Sequence, residues 1–300
     1  MRIEQLVYIT EIAKTGLITN ASERLYVSAS AMSQAISSLE DELGVRLFER
    51  SRTGLEQTEV GKQLIIIAQE ILDRIEEFKH KARGNSSEIE GNLSISAFPG
   101  LCRSILPSAS AELKAKFPKV TLHIKESQPS QVRRDVLNGD ADIGLIWSTA
   151  SSREDNQLLT KKHIIDISLM ICFRKDSELA SKDIITMEDI YKYPIAVSLK
   201  DKNFYSIFGK YNKLNILVQS HNSDTKKHFI SQGLAIGFEA DLTIKADPFY
   251  QREDIIVKPV IGLESKLSYN CIRIKNQYLS LAGQEFLKEL QVQAANVKIL

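Results

Sequence analysis

The chain has 300 residues, 43% apolar and 26% charged, the proportions of a globular protein long enough for two or three cores. Its longest apolar run, Leu64-Ile65-Ile66-Ile67-Ala68, falls far short of the ~20 residues that span a membrane. Glu4 and Glu11 spoil any signal-peptide reading of the start, so the expectation is a cytoplasmic protein with no membrane partner.

The formal net charge of +1 points to no class of partner. Residues 1–83 hold eleven basic and thirteen acidic side chains, so bulk charge argues against nucleic acid and any DNA-binding claim must rest on local geometry. Three dispersed cysteines, Cys102, Cys172 and Cys271, form no CxxC pair, which speaks against a disulfide framework or zinc knuckle.

Ile3, Leu6, Val7, Ile9 and Ile12 recur at near-helical spacing until Thr15-Gly16 stops the first helix. Thr19 reads as the N-cap of a short second helix running to Leu25. Tyr26-Val27-Ser28 breaks the period. Ser28 then caps a third helix with Met32, Ile36, Leu39 and Leu43 on one face and Gly44 at its end. Two helices joined by so short a turn outline a helix-turn-helix.

On the opposite face of the third helix stand Ser30, Ala31, Ser33, Gln34 and Ser37. Such short side chains let a helix approach base edges, and hydroxyls and an amide can bond bases or phosphates. The same face could be merely solvated. What favours DNA is the charge pattern: no carboxylate occurs between Ser28 and Leu39, and Glu40-Asp41-Glu42 follow only afterwards. Val45, Leu47 and Phe48 suggest a strand, Arg52-Thr53-Gly54 a turn and Leu55 a return, a small wing whose Arg50 and Arg52 could reach phosphates or a minor groove. The candidate DNA-contacting set is therefore Thr19, Ser28, Ser30, Ala31, Ser33, Gln34, Arg50 and Arg52.

A long helix follows from Thr58, with Val60, Leu64, Ile67, Ile71, Ile75 and Phe78 as a stripe. No sequence neighbour looks suited to receive it, so pairing with the same helix of a second chain is expected over packing on a later domain. After Gly84-Asn85-Ser86-Ser87 the rhythm becomes strand–helix–strand, through GNLSISAF, KVTLHIKE and ADIGLIW and then a second lobe from IIDISLMICF. This predicts parallel sheets with crossovers, two α/β units and a cleft between them.

No HExxH, phosphate-binding GxxxxGK[ST], GxGxxG after a strand or GxSxG elbow occurs. Neither a metal, a cofactor nor a catalytic residue is expected, and the chain is read as no enzyme. In open α/β sheets, ligands sit beyond the carboxyl ends of strands, where helix starts offer free N–H groups. Those points give Phe98, Pro99, Gly100, Ser127, Gln128, Trp147, Ser198, Asn222 and Ser223 as candidate contacts for a small anion, with Phe98 and Trp147 as an apolar wall; each serine also reads as a simple cap. Cys102 lies in the same loop, so a thiol sensor is a competing idea, but no second cysteine is near to resolve it.

The segment NASERLYVSASAMSQAISSLEDELGVRLFERSRTGLEQTEVG resembles the helix-turn-helix and wing of LysR-type transcriptional regulators almost position for position, and LNGDADIGL and SQGLAIGF resemble weaker marks of that family's effector half. The resemblance runs over the full length. It implies an α/β protein with an N-terminal all-α winged helix-turn-helix (1–58), a long dimerising linker helix (59–83) and a two-lobed periplasmic-binding-protein-like effector domain (84–300). The implied partners are double-stranded promoter DNA, a small-molecule effector and further copies of the chain as homodimer or homotetramer, with room for RNA polymerase. The alternative is a solute-binding or enzymatic α/β protein with an incidental helical start. Ala29 and Gln34 depart from the glutamine and arginine frequent in the family, as do Leu17 and Ser22 from its serine and alanine, so base preference does not transfer; a bidentate Gln34 would favour adenine.

Overall fold

The computed structural model describes the chain except residues 52–53, 84–88, 150–156, 198–213, 221, 264–266 and 298–300. Arg52 and Ser198 thus lie outside the described residues. Contacts divide the chain into two compact units, Met1–Gly91 with Asn276–Gln284, and Asn92–Lys275 with Glu285–Leu300.

The first unit carries α1 (Ile3–Thr15), α2 (Ile18–Arg24), α3 (Ala29–Leu43), the hairpin β1 (Phe48–Ser51) and β2 (Gly54–Gln57), and α4 (Glu59–Arg83). Leu6, Ile9 and Ile12 of α1 meet Ala21, Met32, Ile36 and Leu39 in one core, closed by Leu47, Phe48 and, from α4, Ile65 and Ala68. α1 ends at Gly16, whose φ of 71° is the left-handed conformation glycine adopts without steric cost. The chain then turns extended at Leu17 and the helix starts at Ile18, so Thr19 is not the N-cap; it sits inside the first turn of α2. Ser28 does cap α3: its Oγ accepts from Ala31 N at 3.2 Å, and Gly44 at φ 70° ends the helix.

Part of the α4 stripe has a receiver in its own chain. Ile65 and Ala68 are buried in the core, and Leu64, Ile71 and Leu72 pack against it. Val60, Ile67 and Phe78 remain exposed, Phe78 by 75%. The sequence pattern merged two faces of one helix into a single stripe.

The second unit holds two five-stranded sheets, both mixed rather than parallel. Its elements are β3 (Gly91–Ala97), α5 (Pro99–Arg103), α6 (Ile105–Lys116), β4 (Val120–Glu126), α7 (Pro129–Leu137), β5 (Ile143–Thr149), β6 (Leu159–Ile167), β7 (Leu169–Arg174), α8 (Met187–Ile190), β8 (Ile195–Val197), β9 (Ile216–Gln219), α9 (Ser223–Ser231), β10 (Ile236–Ala240), α10 (Asp241–Ala246), β11 (Ile255–Pro259), β12 (Leu267–Ile274) and, from Glu285 onward, α11 (Leu281–Asn296). The first lobe's sheet runs β4-β3-β5-β12-β6 and the second's β11-β7-β10-β8-β9. β3 and β5 are parallel, as are β10, β8 and β9, while β12 runs against β5 and β6, and β7 against β10 and β11. The stretch IIDISLMICF, expected to open the second lobe, straddles the two: Ser168 separates β6 in the first lobe from β7 in the second. One residue thus carries the chain across, and β12 brings it back.

Candidate functional site

The exposed face of α3 is where the period placed it. Met32, Ile36 and Leu39 are buried, while Ser28, Ser30, Ala31, Ser33, Gln34 and Ser37 are exposed. Thr19 and Arg50 are exposed as well, Arg50 on β1 opposite Leu55. Glu40, however, does not belong to an exposed acidic run. It is 6% exposed, and its carboxylate accepts from Leu47 N at 2.7 Å, Phe48 N at 3.2 Å and Arg46 Nη1 at 2.8 Å. The side chain fastens the end of α3 to the entry of the wing. At the far strand, Gly54 lies so close to Gly16 that a Cβ would stand 2.5 Å from its carbonyl oxygen, and Leu55 N donates to that oxygen at 2.8 Å.

Between the lobes of the second unit lies a cavity of about 480 Å³. Phe98, Pro99, Gln128, Trp147, Asn222 and Ser223 of the predicted contacts line it. Ser127 does not. In extended backbone, alternate residues face opposite ways, so Glu126 and Gln128 face the cavity while Ser127 N ties back to Ala97 O at 2.9 Å. Gly100 also falls outside the lining; a Cβ there would meet Tyr269 Oη at 2.6 Å, so its smallness lets α5 settle on β12. Asn222 caps α9, its Oδ1 accepting from Asp224 N at 2.8 Å.

Residues missed by sequence reasoning include Arg103, Glu126, Phe238, Glu239 and Tyr269. Phe98 and Trp147 meet edge to face, centroids 6.3 Å apart, the geometry aromatic quadrupoles favour. Lys226, 1% exposed, donates to Glu239 Oε2 at 2.8 Å and Phe238 O at 2.9 Å, and Tyr250 Oη donates to Glu239 at 3.1 Å. Burial opposes ionisation of Glu239, yet the Lys226 charge, with help from Arg103, holds its carboxyl below the ordinary value. Burial and the Glu239 charge push the Tyr250 hydroxyl upward, so it stays a donor. Burial, then the Glu126 charge, push the Cys102 thiol up to about 11, which leaves almost no thiolate at neutral pH and weakens the thiol-sensor idea.

Among the described residues no helix is long and apolar enough to cross a membrane. Residues 3–62 match the family described as "Bacterial regulatory helix-turn-helix protein, lysR family", and residues 86–295 match the "LysR substrate binding domain". The regulator CysB of Burkholderia cenocepacia is 28% identical over 254 residues, covering 82% of this chain and 80% of its own; the regulator Cbl of Escherichia coli is 29% identical over 252 residues, covering 80% and 78%. Full-length OxyR from Pseudomonas aeruginosa shares the fold with a TM-score of 0.75 at 19% identity, over 99% of both chains. CbnR, solved with its target DNA, shares it at a TM-score of 0.55 and 20% identity, over 98% of this chain and 100% of its own. Relatives named as transcriptional regulators, rather than enzymes, set the catalytic alternative aside. With a helix face exposed and free of carboxylates from Ser28 to Ser38 in one unit, a cavity between lobes in the other, and matches over residues 3–62 and 86–295, the chain belongs to the LysR family of effector-controlled, DNA-binding transcriptional regulators.

Proposed function

We propose that this regulator acts through 1–58 as reader, 59–83 as linker and 84–300 as sensor. Ser30, Ser33 and Gln34 read base edges in a major groove, Ala31 admits close approach, and Thr19, Ser28 and Arg50, with Arg52, hold phosphates. The observation that carries this reading is the α3 surface itself: residues 28–38 offer hydroxyls, a methyl and an amide to solvent with no carboxylate among them. Burial of Glu40 in the wing entry keeps the nearest negative charge turned inward.

The exposed Val60, Ile67 and Phe78 of α4 suit the same helix of a second copy, giving a homodimer or homotetramer. The cavity holds a small anionic effector, favoured by the starts of α7 and α9 and by Arg103. Ligand control requires that the effector bind one arrangement of the dimer more tightly than the other. The site of action is promoter DNA in the cytoplasm, with RNA polymerase as the downstream partner.

The test is selection of duplexes from fragmented genomic DNA by the full-length protein, followed by titration at several salt concentrations. A preferred fragment, affinity falling steeply with salt, and lost discrimination in Gln34→Ala are expected. Absence of any preferred fragment sinks the DNA-reading assignment.

A further inference from the structure

The reading above places an anion in the cavity; resting on that reading, the cavity's own unpaired atoms say what the rest of the molecule must be. Three lining side chains hold buried polar atoms with no hydrogen-bond partner: Arg103 Nε and Trp147 Nε1, both donors, and Gln128 Oε1, an acceptor. Trp147 is only 4% exposed. Unpaired groups of this kind cost roughly 1–3 kcal/mol each when no ligand or water meets them, and all three belong to side chains that line the one cavity, where a ligand settling against them can supply the partners.

Glu239 feels the Arg103 charge but accepts its hydrogen bonds from Lys226, Tyr250 and Ala240 N, none of them from Arg103. Arg103 Nε is therefore left for a ligand anion. Glu126 and Gln128, two residues apart on the same side of an extended chain, present acceptors instead, and ask for a ligand donor. Around these lie Phe98, Trp147, Val197, Phe238 and Leu267, an apolar and aromatic surface. An inorganic oxyanion would satisfy Arg103 but fill little of about 480 Å³ and leave that surface wet.

We infer that the effector is an aromatic carboxylic acid bearing an amino or hydroxyl donor, its carboxylate on Arg103 and Trp147 Nε1, its ring against Phe98 and Trp147, and its donor on Gln128 Oε1. Free sulfate or phosphate does not serve.

The experiment is calorimetric titration of the full-length protein with 2-aminobenzoate, benzoate, benzamide, potassium sulfate and potassium phosphate at matched ionic strength. 2-Aminobenzoate binds best, benzoate more weakly, and the two inorganic salts give no saturable heat. Trp147→Phe keeps a ring and removes one donor, and Gln128→Met removes one acceptor; each weakens 2-aminobenzoate by about 3–10-fold, the worth of one hydrogen bond. Arg103→Met weakens both acids by more than tenfold and leaves benzamide unchanged. Unaltered circular dichroism and ligand-free melting in each variant exclude misfolding as the cause. Saturable sulfate or phosphate binding without aromatic-acid binding overturns the inference, as does acid binding indifferent to Arg103→Met or no binding by any of the five probes. Because duplex selection is read separately, acid binding with no DNA preference would remove the regulatory reading and leave the ligand class standing.

Discussion

Tyr278 Oη donates to Glu77 Oε2 at 2.8 Å while its ring lies under the Arg74 guanidinium, 3.8 Å from the centroid. Arg74 closes the triangle onto Glu77 at 3.0 Å. Tyr278 follows β12, the strand whose Leu267 and Tyr269 line the cavity, so the chain leaving the ligand site is fastened to α4 four residues beyond that strand's end. Tyr278→Ala should leave effector binding and ligand-free DNA affinity within twofold of wild type and abolish the change in DNA affinity on adding effector. Gel shifts with and without 2-aminobenzoate on the selected duplex check it; an intact response in the variant refutes the coupling.

Glu40 accepts from two buried backbone N–H groups, Leu47 N and Phe48 N, at the entry of the wing. Glu40→Ala strands both, and with hydrogen bonds to charged groups worth about 1.5–3 kcal/mol, destabilisation of the first unit by about 2–4 kcal/mol is expected. Glu40→Gln keeps one acceptor oxygen and should lose about half as much. Arg46, 73% exposed on its side chain, adds little, so Arg46→Ala should be near neutral. Calorimetry of the full chain separates the three.

Tyr26 holds φ 54° at the turn between α2 and α3 while 96% exposed. A left-handed backbone is costly for a bulky residue, and no burial repays it. Tyr26→Gly and Tyr26→Asn should each raise the stability of the first unit by about 0.5–1 kcal/mol, the lower end for glycine because it also loosens the unfolded chain. A lower melting temperature in both variants contradicts this.

What the sequence disclosed follows from range. Ser28 and Gly44 were legible because caps are read within four residues, and the α3 face because helical period is local. Thr19 misled because a hydroxyl near a helix start looks like a cap, whereas the turn at Gly16 had already set the start at Ile18. Gln128 and Ser127 both fell beyond the β4 end; only alternation along the strand separates the residue that lines the cavity from the one that does not. Arg103, Glu239 and Tyr269 were invisible, since α5, β10 and β12 come together through a chain crossing at Ser168, inside a mostly apolar stretch that runs from β6 into β7 without a turn signal. The buried Lys226 under Glu239 belonged to the same blind spot: on α9 it reads as one more solvated lysine.

Cys102 offers a chemical test. With its thiol raised to about 11, and those of Cys172 and Cys271 to about 12, burial being the first cause in each, all three should react with iodoacetamide at pH 7 far more slowly than free cysteine, whose pKa is about 8.5. Cys102→Ser should leave DNA affinity and its response to effector unchanged, and millimolar peroxide should not alter either. Rapid single-site alkylation at pH 7, or a peroxide-dependent shift that Cys102→Ser abolishes, would restore the thiol sensor.

Acid should reach the second lobe through Asp189. Its carboxyl accepts from Lys182 Nζ at 2.7 Å and from Thr186 N and Oγ1 at 3.1 and 3.0 Å, capping the short α8. The Lys182 hydrogen bond first, then the Thr186 amide, lower its pKa to about 2, against about 3.9 in an unfolded chain. A carboxyl depressed on folding stabilises above the unfolded value and loses that contribution as pH falls through the folded one. The stability difference between wild type and Asp189→Asn should therefore be full above about pH 5 and shrink progressively between pH 4 and pH 2. Lys182→Met should raise the Asp189 pKa and move this loss to higher pH. Urea unfolding at half-unit pH steps measures all three chains; a wild-type advantage over Asp189→Asn that stays constant down to pH 2 would assign the cap to hydrogen bonding independent of ionisation.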